Sequence, residues 1–196
     1  VGALVGSIRS TDRRFTLTVA GESGSGKSET GQALAEALDA HGIRAVVLQQ
    51  DDYYVLPPKS NDAARRANFC WVGTTEVRLD LLDSHLAAAQ TGVSTIVKPL
   101  VIFDEDRIDE ETLSLEGVDV VVAEGVYTSL CDHVDRRIFI DRNRLDTLQH
   151  RLKRGREEAD AFLERVLTRE HEIISPHRAR ADIVITRDYD VEFVKG

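Results

Sequence analysis

Two hydrophobic rhythms alternate along the chain. Phe15 to Ala20 is a short β-branched run that ends in glycines, and from Lys27 to Ala40 the apolar positions change to helical spacing, with Leu34 and Leu38 four apart beside Ala33 and Ala37. Gly42 stands just past that segment, where a helix C-terminal cap belongs. Ile43 to Leu48 reads as a second strand. Glu76 to Gln90 then puts Leu79, Leu82, Leu86 and Ala89 on one helical face before Gly92. Val93 to Val97 reads as extended. Val118 to Ala123 and Arg137 to Ile140 have the density of apolar residues expected of strands buried on both faces of a parallel sheet. Leu145, Leu148 and Leu152 form another helical stripe, and Phe162, Leu163, Val166 and Leu167 continue it into a long helix that ends near Ser175-Pro176. Ile183 to Ile185 offers a last strand. This repeated order of strand, helix and strand predicts an α/β fold with a mainly parallel sheet flanked by helices. No internal repeat, low-complexity tract or linker interrupts it, so residues 1–196 are expected to form one domain. Pro57 to Gly73 is expected to be a long loop or lid, within insertions at about 55–75 and 98–112.

Composition narrows the class without changing the fold. The chain has 196 residues, 25 Lys and Arg against 34 Asp and Glu, and a net charge of −9. An acidic balance argues against nucleic-acid binding as its main role. The apolar runs fall far short of the ~20 residues that span a membrane, and Val1 to Arg14 lacks a secretory pattern. Cys70 and Cys131 are isolated thiols without a Cys-x-x-Cys spacing, which points to a reducing cytoplasm rather than a zinc site or a disulfide framework. The charge is uneven. Arg136, Arg137, Arg142, Arg144, Arg151, Lys153, Arg154 and Arg156 face only Asp141 and Asp146, a local net of +6 in an acidic protein. Such an island fits an anionic ligand, since guanidinium forks suit phosphate; a solvated helix face is the plainer alternative.

The chemistry is concentrated in Gly21-Glu22-Ser23-Gly24-Ser25-Gly26-Lys27-Ser28, a full Gly-x-x-x-x-Gly-Lys-Ser sequence lying between an expected strand and an expected helix. This is the P-loop. Its glycines let successive N–H groups approach phosphate oxygens, and the helix that starts there adds its positive end, with Glu29 on the first turn. Lys27 is expected to reach the β- and γ-phosphates and Ser28 to hold Mg²⁺. The fold expected is therefore the three-layer P-loop nucleoside triphosphatase arrangement. An Asn-Lys-x-Asp guanine reader is missing, which excludes the G-protein class. Where motor and transporter ATPases end a strand in Asp, Val120-Val121-Val122-Ala123 ends in Glu124; that carboxylate either holds the metal through water or caps the next helix.

Two further segments bear on the reaction. Gln50-Asp51-Asp52-Tyr53-Tyr54 follows the second strand, and ligands gather beyond the carboxyl ends of parallel strands, so Asp51 is expected to face the P-loop and accept the proton of an attacking hydroxyl. Tyr54 is expected to wall the acceptor pocket. Alone, Asp-Asp would be read as a turn and the tyrosines as core; beside a P-loop the functional reading prevails. The second segment is an arginine flap at about 142–160. It is expected to fold over the nucleotide with Gly155 as hinge and with Arg151 and Arg156 as the choices for contact with the transferred phosphoryl group.

Taken together, these residues resemble the uridine kinase and phosphoribulokinase group of P-loop small-molecule kinases from about Phe15 to Ile185. The resemblance rests on Gly21 to Lys27, Gln50 to Tyr54, Glu124-Gly125, Arg154-Gly155-Arg156 and Ala181-Asp182-Ile183-Val184-Ile185. It implies ATP- and Mg²⁺-dependent transfer of the γ-phosphoryl group to a hydroxyl of a small metabolite, with Asp51 as base, and it implies homo-oligomers. The acceptor segment departs from the pattern. The Asp-His-Pro-x-Ala-x-Asp stretch of uridine kinases is replaced by Asn68-Phe69-Cys70-Trp71-Val72-Gly73-Thr74-Thr75-Glu76-Val77-Arg78-Leu79-Asp80, and the later Pro-x-Tyr-Asp element keeps only its proline, in Lys98-Pro99. Lys98, Arg78 and Glu76 are therefore candidates to read a charged, non-nucleoside acceptor such as a sugar phosphate or carboxylate. A regulatory nucleotide binder that transfers no phosphate is the alternative from another class.

Overall fold

The computed structural model describes residues 1–142 and 161–194. Its strands are β1 (Phe15–Gly21), β2 (Ala45–Gln49), β3 (Thr95–Ile102), β4 (Arg107–Ser114), β5 (Val120–Gly125), β6 (Arg136–Ile140), β7 (Ile183–Ile185) and β8 (Val191–Phe193). The α-helices are α1 (Gly2–Arg9), α2 (Lys27–Asp39), α3 (Pro58–Ala67), α4 (Leu79–Gln90) and α5 (Ala161–Ile174). Six strands form one sheet in the order β2-β5-β1-β6-β7-β8, parallel throughout except where β8 runs against β7.

The sheet is covered on both faces, which explains why its central strands are apolar without alternation. Every residue of β1 and β5 is buried. Leu17, Val19, Val120 and Val122 point to one side, where they meet Leu4, Val5 and Ile8 of α1 and Leu34 and Leu38 of α2. Ala20, Val121 and Ala123 point to the other and meet Leu82, Leu86 and Ala89 of α4 and Ile174 of α5. Leu38, Leu82 and Leu86 have no accessible surface, so each contributes about 1.5–3 kcal/mol relative to exposure. Two helical layers around a parallel sheet are the α/β arrangement read from the sequence.

Several local expectations need correcting. Residues expected to form a loop, Pro57 to Gly73, contain α3 and a 3₁₀ turn at Phe69–Trp71. The α3 sequence carries no apolar stripe, so its only helical signals were a proline in the first turn and a run of Ala and Arg. The segment Val93 to Val97 becomes strand only from Thr95, where the longer β3 begins, and β3 pairs with β4 in an antiparallel hairpin outside the main sheet. The charged β4 segment, Arg-Ile-Asp-Glu-Glu-Thr-Leu-Ser, gave no strand signal. Helix α4 begins at Leu79 rather than Glu76, because Thr74–Glu76 forms a separate 3₁₀ turn. The expected stripe of Leu145, Leu148 and Leu152 and most of the arginine flap, with Arg144, Arg151, Lys153, Arg154, Gly155 and Arg156, lie outside the described residues.

One close approach positions the reactive edge of the sheet. At Gly125, the end of β5, an added Cβ would lie 2.2 Å from the Cβ of Gln50, which opens the 3₁₀ turn after β2. The Gln50 side chain fills that space and its Oε1 accepts the Tyr127 N–H at 2.7 Å. Replacing Gly125 by Ala should therefore push the Gln50–Tyr53 turn away from β5 and destabilise the fold by about 1–3 kcal/mol. A lower urea midpoint for Gly125→Ala checks this; an unchanged midpoint would mean that the turn moves freely.

Candidate active site

The C-terminal ends of β1, β2 and β5 lie side by side, and strand register decides what meets there. Glu124 pairs with Val19 of β1 on one side and Gln49 of β2 on the other. The segments that follow these strands, the P-loop and the Gln50–Tyr53 turn, consequently open onto the same edge. Beyond Gly21 the chain turns through Gly24 at φ 79° and Gly26 at φ 98°, left-handed conformations that side chains disfavour. Gly26 also begins α2 as its N-cap. The first amides of a helix have no partner within it, so the end of α2 directs N–H groups and a partial positive charge into the loop. Ser25 Oγ is buried there without a hydrogen-bond partner.

Lys27 and Ser28, the first residues of α2, reach opposite walls. Lys27 Nζ donates to the Glu22 carbonyl at 3.0 Å, and Ser28 Oγ donates to Glu124 Oε1 at 3.0 Å. Glu29 lies exposed on the same first turn. Burial pushes the Glu124 carboxyl above the usual range and the charges of Asp51 and Glu29 add to the rise, against Lys27 and the Ser28 hydrogen bond. The Asp51 carboxyl is also raised, first by the surrounding protein and then by Asp52, while Lys27 and Arg65 oppose the shift. Asp51 nevertheless keeps an open face toward water. It lines a cavity of about 380 Å³ together with Ser23 of the P-loop, Tyr54, Arg65, Phe103 and Glu170.

The wall of that cavity is built on the ion pair between Arg65 and Glu76. Glu76, expected to read the acceptor, is fully buried and instead anchors α3. It accepts from Arg65 Nε at 2.6 Å and Nη2 at 2.9 Å, from Asn61 Nδ2 at 3.0 Å and from the Gly73 N–H at 3.1 Å. Asn61 Oδ1 in turn accepts from the Trp71 indole at 2.7 Å. Burial works against the Arg65 charge, but Glu76 and Glu170 more than restore it, so the guanidinium is held firmly protonated. Arg65 also lies 5.8 Å from the centre of the Tyr54 ring. Glu170 of α5 completes the wall, 4.0 Å from Arg65, and accepts the Ser23 hydroxyl at 2.6 Å. Its neighbour His171 bonds Glu22 through Nδ1 at 2.5 Å. Glu170 and His171 left no trace in the sequence because their partners Ser23 and Glu22 lie far along the chain, and Arg65 and Asn61 left none because they meet Glu76 only through the turn that follows α3.

Lys98 and Arg78 are not brought to this cavity. Lys98 lies on β3, almost wholly buried, and bonds Asp52 at 2.7 Å and Glu111 at 3.0 Å. Asp52 also accepts the Val101 N–H at 3.0 Å, so the hairpin is tied to the residue next to Asp51. Arg78 is exposed and, with Lys98, borders a separate depression between α4 and the hairpin. Tyr54 lines the Asp51 cavity, where the sequence put it. Arg151 and Arg156 lie outside the described residues, and Arg142 is engaged with Tyr189 through both a hydrogen bond and a guanidinium–ring contact.

A mainly parallel sheet with a P-loop after β1, Asp51 after β2 and Glu124 at the end of β5 is a P-loop kinase fold. Phosphoribulokinase from Rhodobacter spheroides superposes on it with a TM-score of 0.69, at 12% identity, over 90% of this chain and 71% of that one. The model of the phosphoribulokinase / uridine kinase family matches residues 16–193, and the chain belongs to that family. Its members are phosphotransferases that act on hydroxyl acceptors. The bifunctional alpha-galactosidase/sucrose kinase of Mediterraneibacter gnavus is 27% identical over 194 residues, which cover 92% of this chain and 21% of that protein. The uridine kinase of Ligilactobacillus salivarius is 27% identical over 185 residues, 86% of this chain and 83% of the kinase. The chain thus spans about a fifth of the first protein and most of the second. Among the described residues no helix is long and apolar enough to cross a membrane, and Cys70 and Cys131 are free thiols.

The placement of Lys98 separates a structural role from acceptor binding. Lys98→Met removes the cation that neutralises Asp52 in a nearly buried pair, a loss expected to cost about 3 kcal/mol. The variant should melt earlier but, below its melting range, keep the acceptor KM. A raised KM with unchanged melting would return Lys98 to the acceptor site.

Proposed function

We infer that the protein is an ATP- and Mg²⁺-dependent kinase that transfers the γ-phosphoryl group to a hydroxyl of a small metabolite, with uridine kinase-like handling of the phosphates. The observation that carries this reading is the shared cavity: Asp51 and the P-loop residue Ser23 line one space, with Lys27 close enough to oppose the burial that raises the Asp51 pKa. In this reading Gly21, Glu22, Ser23, Gly24, Ser25, Gly26 and Glu29 form or border the phosphate cradle, and Lys27 leaves the Glu22 carbonyl for the β- and γ-phosphates. Asp51 takes the proton of the acceptor hydroxyl as its oxygen bonds to the γ-phosphorus, the bond from that phosphorus to the bridging oxygen breaks, and ADP departs. Tyr54 walls the acceptor. Arg151 and Arg156 are the proposed flap residues for the charge on the transferred group.

Ser28 and Glu124 suit magnesium, since both offer hard oxygen atoms and the crowding of Glu124 with Asp51 and Glu29 is relieved by a cation. Among the described residues no group of three or more His, Cys, Asp or Glu side chains could hold a metal. An ion carried mainly by water and nucleotide oxygens fits that arrangement, and when bound it neutralises phosphate charge. The free cysteines suit a reducing cytoplasm. A homo-oligomer remains part of the proposal through family resemblance alone. The reading of a charged acceptor loses its two named cations, since neither Lys98 nor Arg78 lines the cavity.

Asp51→Asn tests the assignment of the base and the enzyme class together. Turnover should fall by at least about 100-fold while ATP affinity, measured by calorimetry, stays within twofold. Retained turnover would reject Asp51 as the base, and a wild-type protein that binds ATP yet releases ADP to no acceptor would be a nucleotide-dependent regulator instead. A second outcome concerns pH. Asp51 must be ionised to accept a proton and its pKa is raised, so kcat should fall on acidification through a pKa above the ordinary aspartate value of about 3.9. A kcat–pH profile without that acid limb would contradict the role.

A further inference from the structure

Helix α5 meets the cavity wall that carries Arg65 at three levels. Near its start, the Phe162 ring lies 6.1 Å from that of Phe69, edge to face, with the Arg66 guanidinium 4.5 Å from the centre of the Phe162 ring and that of Arg165 4.5 Å from the centre of the Phe69 ring. Eight residues on, about 12 Å along the axis, Glu170 faces the Asp51 cavity. Near its end, Ile173 packs on Gly73, where an added Cβ would lie 3.1 Å from Ile173 Cδ1. Phe69 and Gly73 both belong to the stretch between α3 and Glu76, so the wall and α5 are joined along the helix.

Of these contacts, Glu170 also reaches the P-loop. It is almost wholly buried, and its two oxygens face different places: Oε2 accepts the Ser23 hydroxyl at 2.6 Å, and Oε1 lies 4.0 Å from Arg65 Nη2. The second separation is a charge contact rather than a hydrogen bond, since Arg65 gives Nε and Nη2 to Glu76. One guanidinium thus serves two carboxylates.

We propose that Glu170 is a positioning residue that couples the two sites, so that nucleotide in the P-loop draws Arg65 and α3 inward, and a filled acceptor cavity in turn tightens nucleotide binding. This step rests on the reading in which the P-loop holds the phosphates of ATP and the Asp51 cavity holds the acceptor. The sign follows from charge. Burial works against the Glu170 carboxylate, while the Ser23 hydroxyl and the cations of Arg65 and Lys27 favour it. Phosphates beside Ser23 add negative charge and engage Lys27, which leaves Arg65 to offset Glu170. A contact of 4.0 Å has room to shorten to the about 2.8 Å of a charge-assisted hydrogen bond. Because Arg65 is fixed to Glu76 and lies against the Tyr54 ring, that movement is felt on the acceptor side. Linkage makes the effect reciprocal: whatever nucleotide does for the acceptor, the acceptor does for nucleotide.

Hydrogen exchange read by mass spectrometry, with and without saturating magnesium and AMPPNP, a non-hydrolysable ATP analogue, tests this without an acceptor. In the wild-type protein the analogue should slow exchange in the P-loop and also, by about fivefold, in α3. Glu170→Gln keeps an oxygen for Ser23 and removes the charge that faces Arg65. In this variant the slowing in α3 should shrink to less than about twofold while that of the P-loop remains. A wild-type protein in which AMPPNP protects the P-loop and leaves α3 unchanged overturns the coupling, whether or not the variant folds, and leaves the kinase reading standing. Undiminished protection of α3 in folded Glu170→Gln overturns the role of Glu170. A folded variant that no longer binds AMPPNP overturns it as well, by making Glu170 part of the nucleotide site alone. Failure of the wild-type protein to bind AMPPNP removes the kinase reading and the proposal together.

Discussion

The site depends on the register of β5 between β1 and β2. Because Glu124 lies level with both Val19 and Gln49, the glycine loop, the Gln50–Tyr53 turn and the Glu124 carboxylate leave the sheet at one height. A slip of one residue in either ladder would turn side chains to the opposite face and separate them. The absence of a side chain at Gly125 lets Gln50 settle against the strand end and holds the turn carrying Asp51 at that height. Parallel pairing thus supplies the geometry, and one close packing contact keeps it.

Around this edge the protein gathers negative charge and offsets it in two ways. Next to the P-loop, burial and then Asp51 and Glu29 raise the cost of ionising Glu124, and only Lys27 and Ser28 among the named partners favour its charged form. That is an environment suited to a cation and a polyphosphate arriving together. Farther out, Glu76 and Asp52 are neutralised by the protein itself, through Arg65 and Lys98. These outer pairs tie α3 and the β3–β4 hairpin to the segments they cover, so charge pairing helps hold the cavity walls.

Elements with strong periodicity were legible in the sequence. The core strands, α2, α4 and the P-loop could be read because burial on a sheet or along a helical stripe leaves a local pattern, and the glycines record backbone angles directly. Asp51 and Tyr54 were placed by their position after a parallel strand, and both line the cavity. The walls were not legible. Helix α3 and strand β4 are polar, so neither period stands out, and the partnership of Arg65 with Glu76 depends on a turn whose form is set by the fold. Lys98 was singled out as a cation beside Pro99 where the acceptor segment departs from the family pattern, and its pairing with Asp52 and Glu111 is set by the hairpin and could not be read locally. Arg151 and Arg156 were chosen on composition, and the described residues do not bear on that choice.

Helix α5 holds the P-loop at two consecutive residues, Glu170 on Ser23 and His171 on Glu22. Consecutive helical positions diverge by about 100° around the axis, so the two attachments pull in different directions. A rod fastened in this way can neither roll about its length nor slide along it without releasing one of them. The glycine segment, flexible by composition, therefore takes its shape partly from a rigid body that belongs to the far end of the chain, and the angular setting of that body is written into the cradle.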